Sequence, residues 1–424
     1  MTDILPRFKR LWLYVRGGIA FTPTVWVLSF IAFAFVMRYL EYQGLSDWLR
    51  EQGDFWRINA AATARTILSS IIGGVISLTV FSFSMVMIVL GQATSTLSPR
   101  LLPQLIRDRS HQNTLGLYLG VIMYCYITMI AINPDEEWKL NSFSIFVAVV
   151  LAIVCLGFFV FFIASISRRI QVGEVVKDVH RRAVTDIRTW QAGSDNWSLR
   201  GLPENVEDWH YVKATESGYV DATLYEELSH LGRNIGTRIY LERHRSSYVV
   251  RGSVLFRAER PLTNEERKKA AEILRLNDNR DKEFWYYPAI RHITEVAVKA
   301  MSPGINDPGT AIEAINLLSD LFVSLSDLPR LNHYQDGADG GDVFFVSRSL
   351  EEIVSESITS IRTYAKADPA VMMNLQECLM ALLLNTQSST ITTFAKNELK
   401  ALKEDGANSI GNSQDRQAFL SLFD

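Results

Sequence analysis

Four stretches of the chain, residues 21–37, 67–90, 114–132 and 143–165, carry no charged side chain. A helix of 24 residues is roughly 36 Å long, enough to cross a hydrocarbon core of about 30 Å with some tilt. One such run is compatible with a buried helix of a water-soluble protein. Four within 170 residues are not, because a single domain has no interior large enough to hide them. Of the 424 residues, those beyond about 168 have ordinary charged composition. The expected fold is therefore an α-helical membrane protein with four transmembrane helices, followed by a cytoplasmic α+β domain made of a small β-rich module plus a helical bundle.

Direction follows from Lys and Arg beside the spans. One side carries Arg7, Lys9, Arg10, Arg16, Arg100, Arg107, Arg109, Arg168, Arg169, Lys177, Arg181 and Arg182. The other carries Arg38, Arg50, Arg57, Arg65 and Lys139. This bias puts both termini in the cytoplasm. The first run ends in "RYLEYQG", with no small-residue cleavage site, and reads as an uncleaved anchor. Trp48, Phe55 and Trp56 in the following loop have the spacing of an interfacial segment.

The second span is the unusual one. Residues 66–92 hold seven hydroxylic side chains and three glycines. At 100° per residue, Thr66, Ser70, Gly73, Ser77, Ser84 and Gly91 share one line, with Val80 on it and Phe81 beside it. Thr79 and Ser82 fall on the opposite face. Two explanations stand. Small residues let helices pack closely, with hydroxyls bonding back to their own backbone. Alternatively the stripe of Thr66, Ser70, Gly73, Ser77, Val80, Phe81 and Ser84 lines a water path, with Val80 and Phe81 as an apolar constriction. No ionisable group lies mid-span, which disfavours a proton relay, and no acid–base pair or activated nucleophile appears there. Arg100, Arg107 and Arg109 follow this span and suit either plain anchoring at lipid phosphates or a basic inner mouth that concentrates anions.

The passage after the span reads "GQATSTLSPRLLPQLIRDRSHQNTLGLYLG". Its Ser98-Pro99-Arg100-Leu101-Leu102, Arg107-Asp108-Arg109 and Gln112–Gly116, with "AVKAMSPGINDPGTAIEAI" at 297–315, resemble the bacterial membrane family of domain of unknown function 2254. The resemblance implies an integral protein of the bacterial inner membrane with this layout, and it brings no activity with it.

Beyond the spans, a helix at 168–190 leads to a linker with Gly193, Gly201 and Pro203. The expected divisions are 1–168 for the spans, 169–205 for a membrane-proximal helix and linker, 206–260 for the β-rich module and 261–424 for the mainly helical part. In the β-rich stretch, residues 219–220, 237–241 and 248–256 read as strands. Its pairing of Ser-Gly-Tyr-Val with a later Val-x-x-Gly-x-x-Leu resembles a barrel-sandwich module, but the carrier lysine is missing. No cofactor is expected. Thr263 and Glu266 form a capping box, and Pro369 begins a later helix.

The segment "SPGINDPGT" admits two readings. As a helix corner, Gly304 takes a positive φ, Asp307 caps the next helix and Pro308 fits its first turn. As a ligand site, Gly304, Asn306, Asp307 and Thr310 hold an anion, a cation or a polar metabolite. Three cysteines form no CxxC pair, seven histidines are scattered without an HExxH, and no phosphate-binding GxxxxGK[ST] occurs. A metal site, nucleotide hydrolysis and an enzyme are all disfavoured. A net charge of −3 gives no field for nucleic acid. The partners expected are the lipid bilayer, further copies of the chain, and ions or a small ligand. The functional expectation is a homo-oligomeric pore or ion channel of the inner membrane, its pathway lined by the second span and regulated by the cytoplasmic domain. The alternative is a membrane-anchored sensor or scaffold whose cytoplasmic domain binds a ligand or protein partner.

Overall fold

The computed structural model describes residues 20–43, 46, 60–96, 109–132, 142–169, 172–191, 196–274, 276–277, 285–326, 328 and 330–423. It divides into two compact units, Met1–Gln171 and Val172–Asp424. Trp48, Phe55 and Trp56, like Arg100 and Arg107, lie outside the described residues.

The first unit contains four helices long and apolar enough to cross a membrane: α1 (Phe21–Tyr42), α2 (Ala61–Thr96), α3 (Arg109–Ile130) and α4 (Ser142–Arg169). Helix α3 is the central one. It packs on each of the other three and is the most buried. Its small residues explain that position. A Cβ on Gly116 would lie 2.7 Å from the Trp26 ring, and one on Gly120 would lie 2.5 Å from the Phe30 ring. Two glycines four residues apart thus form a notch on α3 that the aromatic rings of α1 fill, which is how close packing replaces the hydrophobic drive inside lipid. Trp26 Nε1 also donates to Asn113 Oδ1 at 3.2 Å.

At the far end, helix termini are satisfied by side chains from neighbouring helices. Glu41, at the end of α1, accepts from the Ser144 amide at 2.8 Å and the Ser144 hydroxyl at 2.9 Å, and from Ser46. A carboxylate therefore sits on the N-terminus of α4, where backbone donors lack partners and the helix dipole favours negative charge. Arg65 of α2 donates to Ile132 O at 3.0 Å, taking up a carbonyl just past α3.

The second unit opens with α5 (Val172–Gln191), whose apolar face, Val176, Val179, Ala183 and Ile187, is buried. It packs on α8 (Tyr286–Ala300) and α9 (Pro308–Ser326). Three polar ties fix it there: Lys177 to Glu313 at 2.9 Å, His180 to Asp320 at 2.7 Å, and Asp186 accepting from the Tyr286 amide at 3.0 Å. Burial pushes the Asp186 carboxyl up despite that hydrogen bond.

Between these helices lies the sheet-bearing part: β1 (Trp197–Ser198), β2 (His210–Lys213), β3 (Gly218–Tyr219), α6 (Ala222–Ile235), β4 (Ile239–Leu241), β5 (Tyr248–Val249), β6 (Val254–Ala258) and α7 (Asn264–Ile273). Strands β7 (His333–Tyr334) and β8 (Val343–Phe345) follow α9. One sheet runs β1-β7-β8-β4-β6-β2, and β3 pairs with β5 in a separate ribbon. All pairs in the large sheet are antiparallel except β4 with β8, where Ile239 is opposite Val343. The sheet thus draws on more of the chain than the 206–260 stretch from which a β-rich module is expected. Its mixed order is also not a barrel sandwich: residues 333–345 supply two of its inner strands.

Helices α10 (Leu350–Ala365), α11 (Pro369–Asn385), α12 (Ser389–Ser409) and α13 (Ser413–Leu420) complete the unit. Phe419 of α13 is fully buried against Gly406 of α12. The expected capping box starts α7: Thr263 and Glu266 exchange hydrogen bonds, and Arg260 joins Glu266 at 2.7 Å. That guanidinium, with the Thr263 donors, holds the Glu266 carboxyl down at about 2.

Candidate functional site

Helix α2 packs against its own unit through Ala61, Ala64, Leu68, Ile72, Val75 and Ser82. The opposite face carries the expected stripe, and Thr66, Ser70, Gly73, Ser77, Val80, Phe81 and Ser84 are all exposed. Val80 is 60% exposed. Phe81, though open on one side, rests edge-on against Phe159 of α4 at 5.5 Å. Thr66 and Ser77 donate to the carbonyls four residues back, Ala62 O and Gly73 O, each at 2.9 Å. Their donors are thereby satisfied within the helix, while the oxygens keep acceptor capacity toward the outside.

The glycines separate the two helices. A Cβ on Gly73, Gly74 or Gly91 of α2 would meet nothing within 4 Å, whereas those on Gly116 and Gly120 of α3 would strike aromatic rings. The notch on α3 is filled by α1, whereas among the described residues nothing fills the Gly/Ser face of α2. Of the three basic residues expected at the inner mouth, only the backbone of Arg109 is described, at the start of α3.

In the second unit, the 302–310 corner has a local explanation for each residue. Helix α8 ends at Ala300, and the Asp307 amide donates back to Ala300 O at 2.8 Å. Asn306 takes the left-handed conformation, with φ 48°. The sequence expectation put that role on Gly304, which has no positive φ; the turn reverses two residues later than expected. Asparagine is the side chain that tolerates this region best after glycine. Asp307 Oδ1 accepts from the Thr310 amide at 3.1 Å and Oδ2 from the Thr310 hydroxyl at 2.6 Å. These bonds hold its carboxyl below the usual carboxylate range. The anion position at the start of α9 is thus taken by the chain's own carboxylate.

A wide cleft opens between α8 and α10, lined by Tyr287, Arg291, Glu295, Lys299, Arg348 and Glu356. Ser302 reaches its edge, but Gly304, Asn306, Asp307 and Thr310 do not line it. Arg348 bridges its walls, donating to Glu356 at 2.9 Å while its guanidinium lies 4.6 Å from the centre of the Tyr287 ring.

On the sheet, Ser198, His333 and Asp342 form a hydroxyl–imidazole–carboxylate chain with steps of 2.9 and 2.8 Å. Ser198 and His333 are direct cross-strand partners, and Asp342 is also held by Arg200 at 2.9 Å. His333 is buried, and burial pushes its imidazole down. What this geometry does is tie edge strand β1 to β7. No pattern along the chain signals it, because both strands are two residues long.

Comparison with known proteins agrees with the first unit's composition. The family model described as predicted membrane protein (DUF2254) matches residues 16–381. Uncharacterized proteins of Mycobacterium bovis and Mycobacterium tuberculosis are each 21% identical over 397 residues, covering 91% of this chain and 75% of their own. No solved structure matches. The matched span takes in all four apolar helices and most of the second unit, and the chain belongs to the DUF2254 family of predicted membrane proteins.

Proposed function

We propose that the protein is a homo-oligomeric pore of the bacterial inner membrane, with α2 of each copy facing a shared axis and both termini in the cytoplasm. One observation carries the reading: the Gly/Ser face of α2 points out of its own unit, and its glycines are open. A helix in lipid gains stability by close packing and by hydroxyl contacts across small residues. A second copy supplies what the first lacks. Around an axis, Ser70, Ser77 and Ser84 offer mild wetting groups, and Val80 forms an apolar ring between them that gates by dewetting. Arg100, Arg107 and Arg109 serve as the basic inner mouth, and the second unit as the regulatory part.

Purified protein in liposomes tests this. Ion flux is expected, with Ser77→Leu abolishing it while chemical cross-linking still traps the oligomer. Absence of flux in every ion gradient applied, or a protein that cross-links only as a monomer, would remove the proposal.

The α8–α10 cleft favours a second reading, a membrane-anchored sensor or scaffold that takes a charged ligand or partner segment between Arg291 and Glu356. In that case Arg291→Ala changes binding to the second unit and leaves liposome flux untouched.

A further inference from the structure

The loop between β7 and β8 reads "QDGADGGD" at 335–342. Ser229 of α6 holds it: the hydroxyl donates to Gly341 O at 2.7 Å and accepts from the Asp336 amide at 3.0 Å, and Ser229 O accepts from the Gly341 amide at 3.0 Å. Its closeness requires glycine. A Cβ on Gly340 would lie 2.5 Å from the Asp336 backbone and 2.8 Å from Ser229 Oγ. Gly337 adds a positive φ of 65°. The loop therefore holds Asp336 in a fixed place over the face of α6 that carries Glu226 and His230, one helical turn apart.

The ligand atoms of Glu226, His230 and Asp336 all lie within 4.8 Å of one another. His230 Nε2 is 3.1 Å from Asp336 Oδ2. Two carboxylates this close repel unless a cation lies between them. Arg200, at the base of the same loop, is engaged by Asp342 and by Gln335 at 3.2 Å.

We infer that Glu226, His230 and Asp336 bind one divalent transition-metal ion of the zinc class. One imidazole with two carboxylates suits Zn²⁺ and its first-row neighbours, whereas Ca²⁺ and Mg²⁺ prefer sites built wholly of oxygen. Metal–ligand bonds of about 2.0–2.2 Å require only that these solvent-accessible side chains draw together by small rotations. Water completes the shell on the open side. The site is separate from α2 and stands or falls independently of the pore.

Isothermal titration of the full chain in detergent, stripped with EDTA, tests it with ZnCl₂ as the probe. Wild type is expected to take up one more Zn²⁺ than His230→Gln, and Asp336→Asn is expected to bind that ion at least tenfold more weakly. Zn²⁺ should raise the melting temperature of wild type and leave that of His230→Gln unmoved. Equal stoichiometry and affinity in wild type and His230→Gln would overturn the inference, as would displacement of Zn²⁺ by equimolar MgCl₂ or CaCl₂. Matching circular dichroism of the metal-free proteins separates loss of the site from loss of fold.

Discussion

Asp307 commits both carboxylate oxygens to the first turn of α9. Replacing it with alanine removes an N-cap, with an expected cost of about 0.5–2 kcal/mol. Because its folded-state carboxyl lies below the usual range, the stabilisation is complete above the ordinary carboxylate pKa of about 3.9 and fades as pH falls through the lower folded value. The melting-temperature gap between wild type and Asp307→Ala should therefore be widest near neutral pH and shrink in acid. A gap that is the same at roughly pH 7 and pH 3 would contradict the capping role. Two neighbours give a sharper contrast. Asn306→Val places a β-branched residue at φ 48° and should cost about 1–2 kcal/mol. Gly304→Ala meets open space, has no left-handed requirement, and should stay within about 0.5 kcal/mol of wild type.

Among the elements, α2 and α3 both contain glycines, and they are predicted to answer differently to the same substitution. Gly120→Val drives a side chain into Phe30 and should lower the melting temperature of the protein in detergent. Gly73→Val should leave that temperature nearly unchanged and alter the cross-linked oligomer instead. The reverse pattern would mean that α2 needs no partner. Legibility in the sequence followed the strength of each local signal. Uncharged runs located α1 to α4 to within six residues of their observed ends, and Thr263 and Pro369 marked helix starts correctly. The glycine notch at Gly116 and Gly120 was written just as plainly, yet only a partner ring distinguishes a filled notch from an empty one. Strands such as β1 and β7, two residues long, are too short for any periodicity to register. Glu226, His230 and Asp336 escaped because spacing along the chain reveals only the helical pair; the third ligand arrives through the fold.

For the molecule as a whole, the boundary at Gln171 and Val172 makes a prediction about fragments. The linker expectation places a free domain from about residue 205, but that start omits α5 and β1. A fragment of 172–424 should be soluble and monodisperse by size-exclusion chromatography, with a cooperative melt. One of 206–424 should aggregate, because it bares the faces of α8 and α9 that α5 covers and leaves β7 without its edge partner. Equal behaviour of the two would show α5 to be dispensable to the unit.

The parallel pairing of Ile239 with Val343 has a consequence in time. When β4 leaves the ribosome, its parallel neighbour β8 lies about 100 residues further along the chain, on the order of 5–20 s at ordinary elongation rates. For that interval the β8-facing edge of β4 offers an open row of amides and carbonyls to whatever strand drifts past. A nascent chain stalled just short of residue 343 keeps that edge open for as long as it is held.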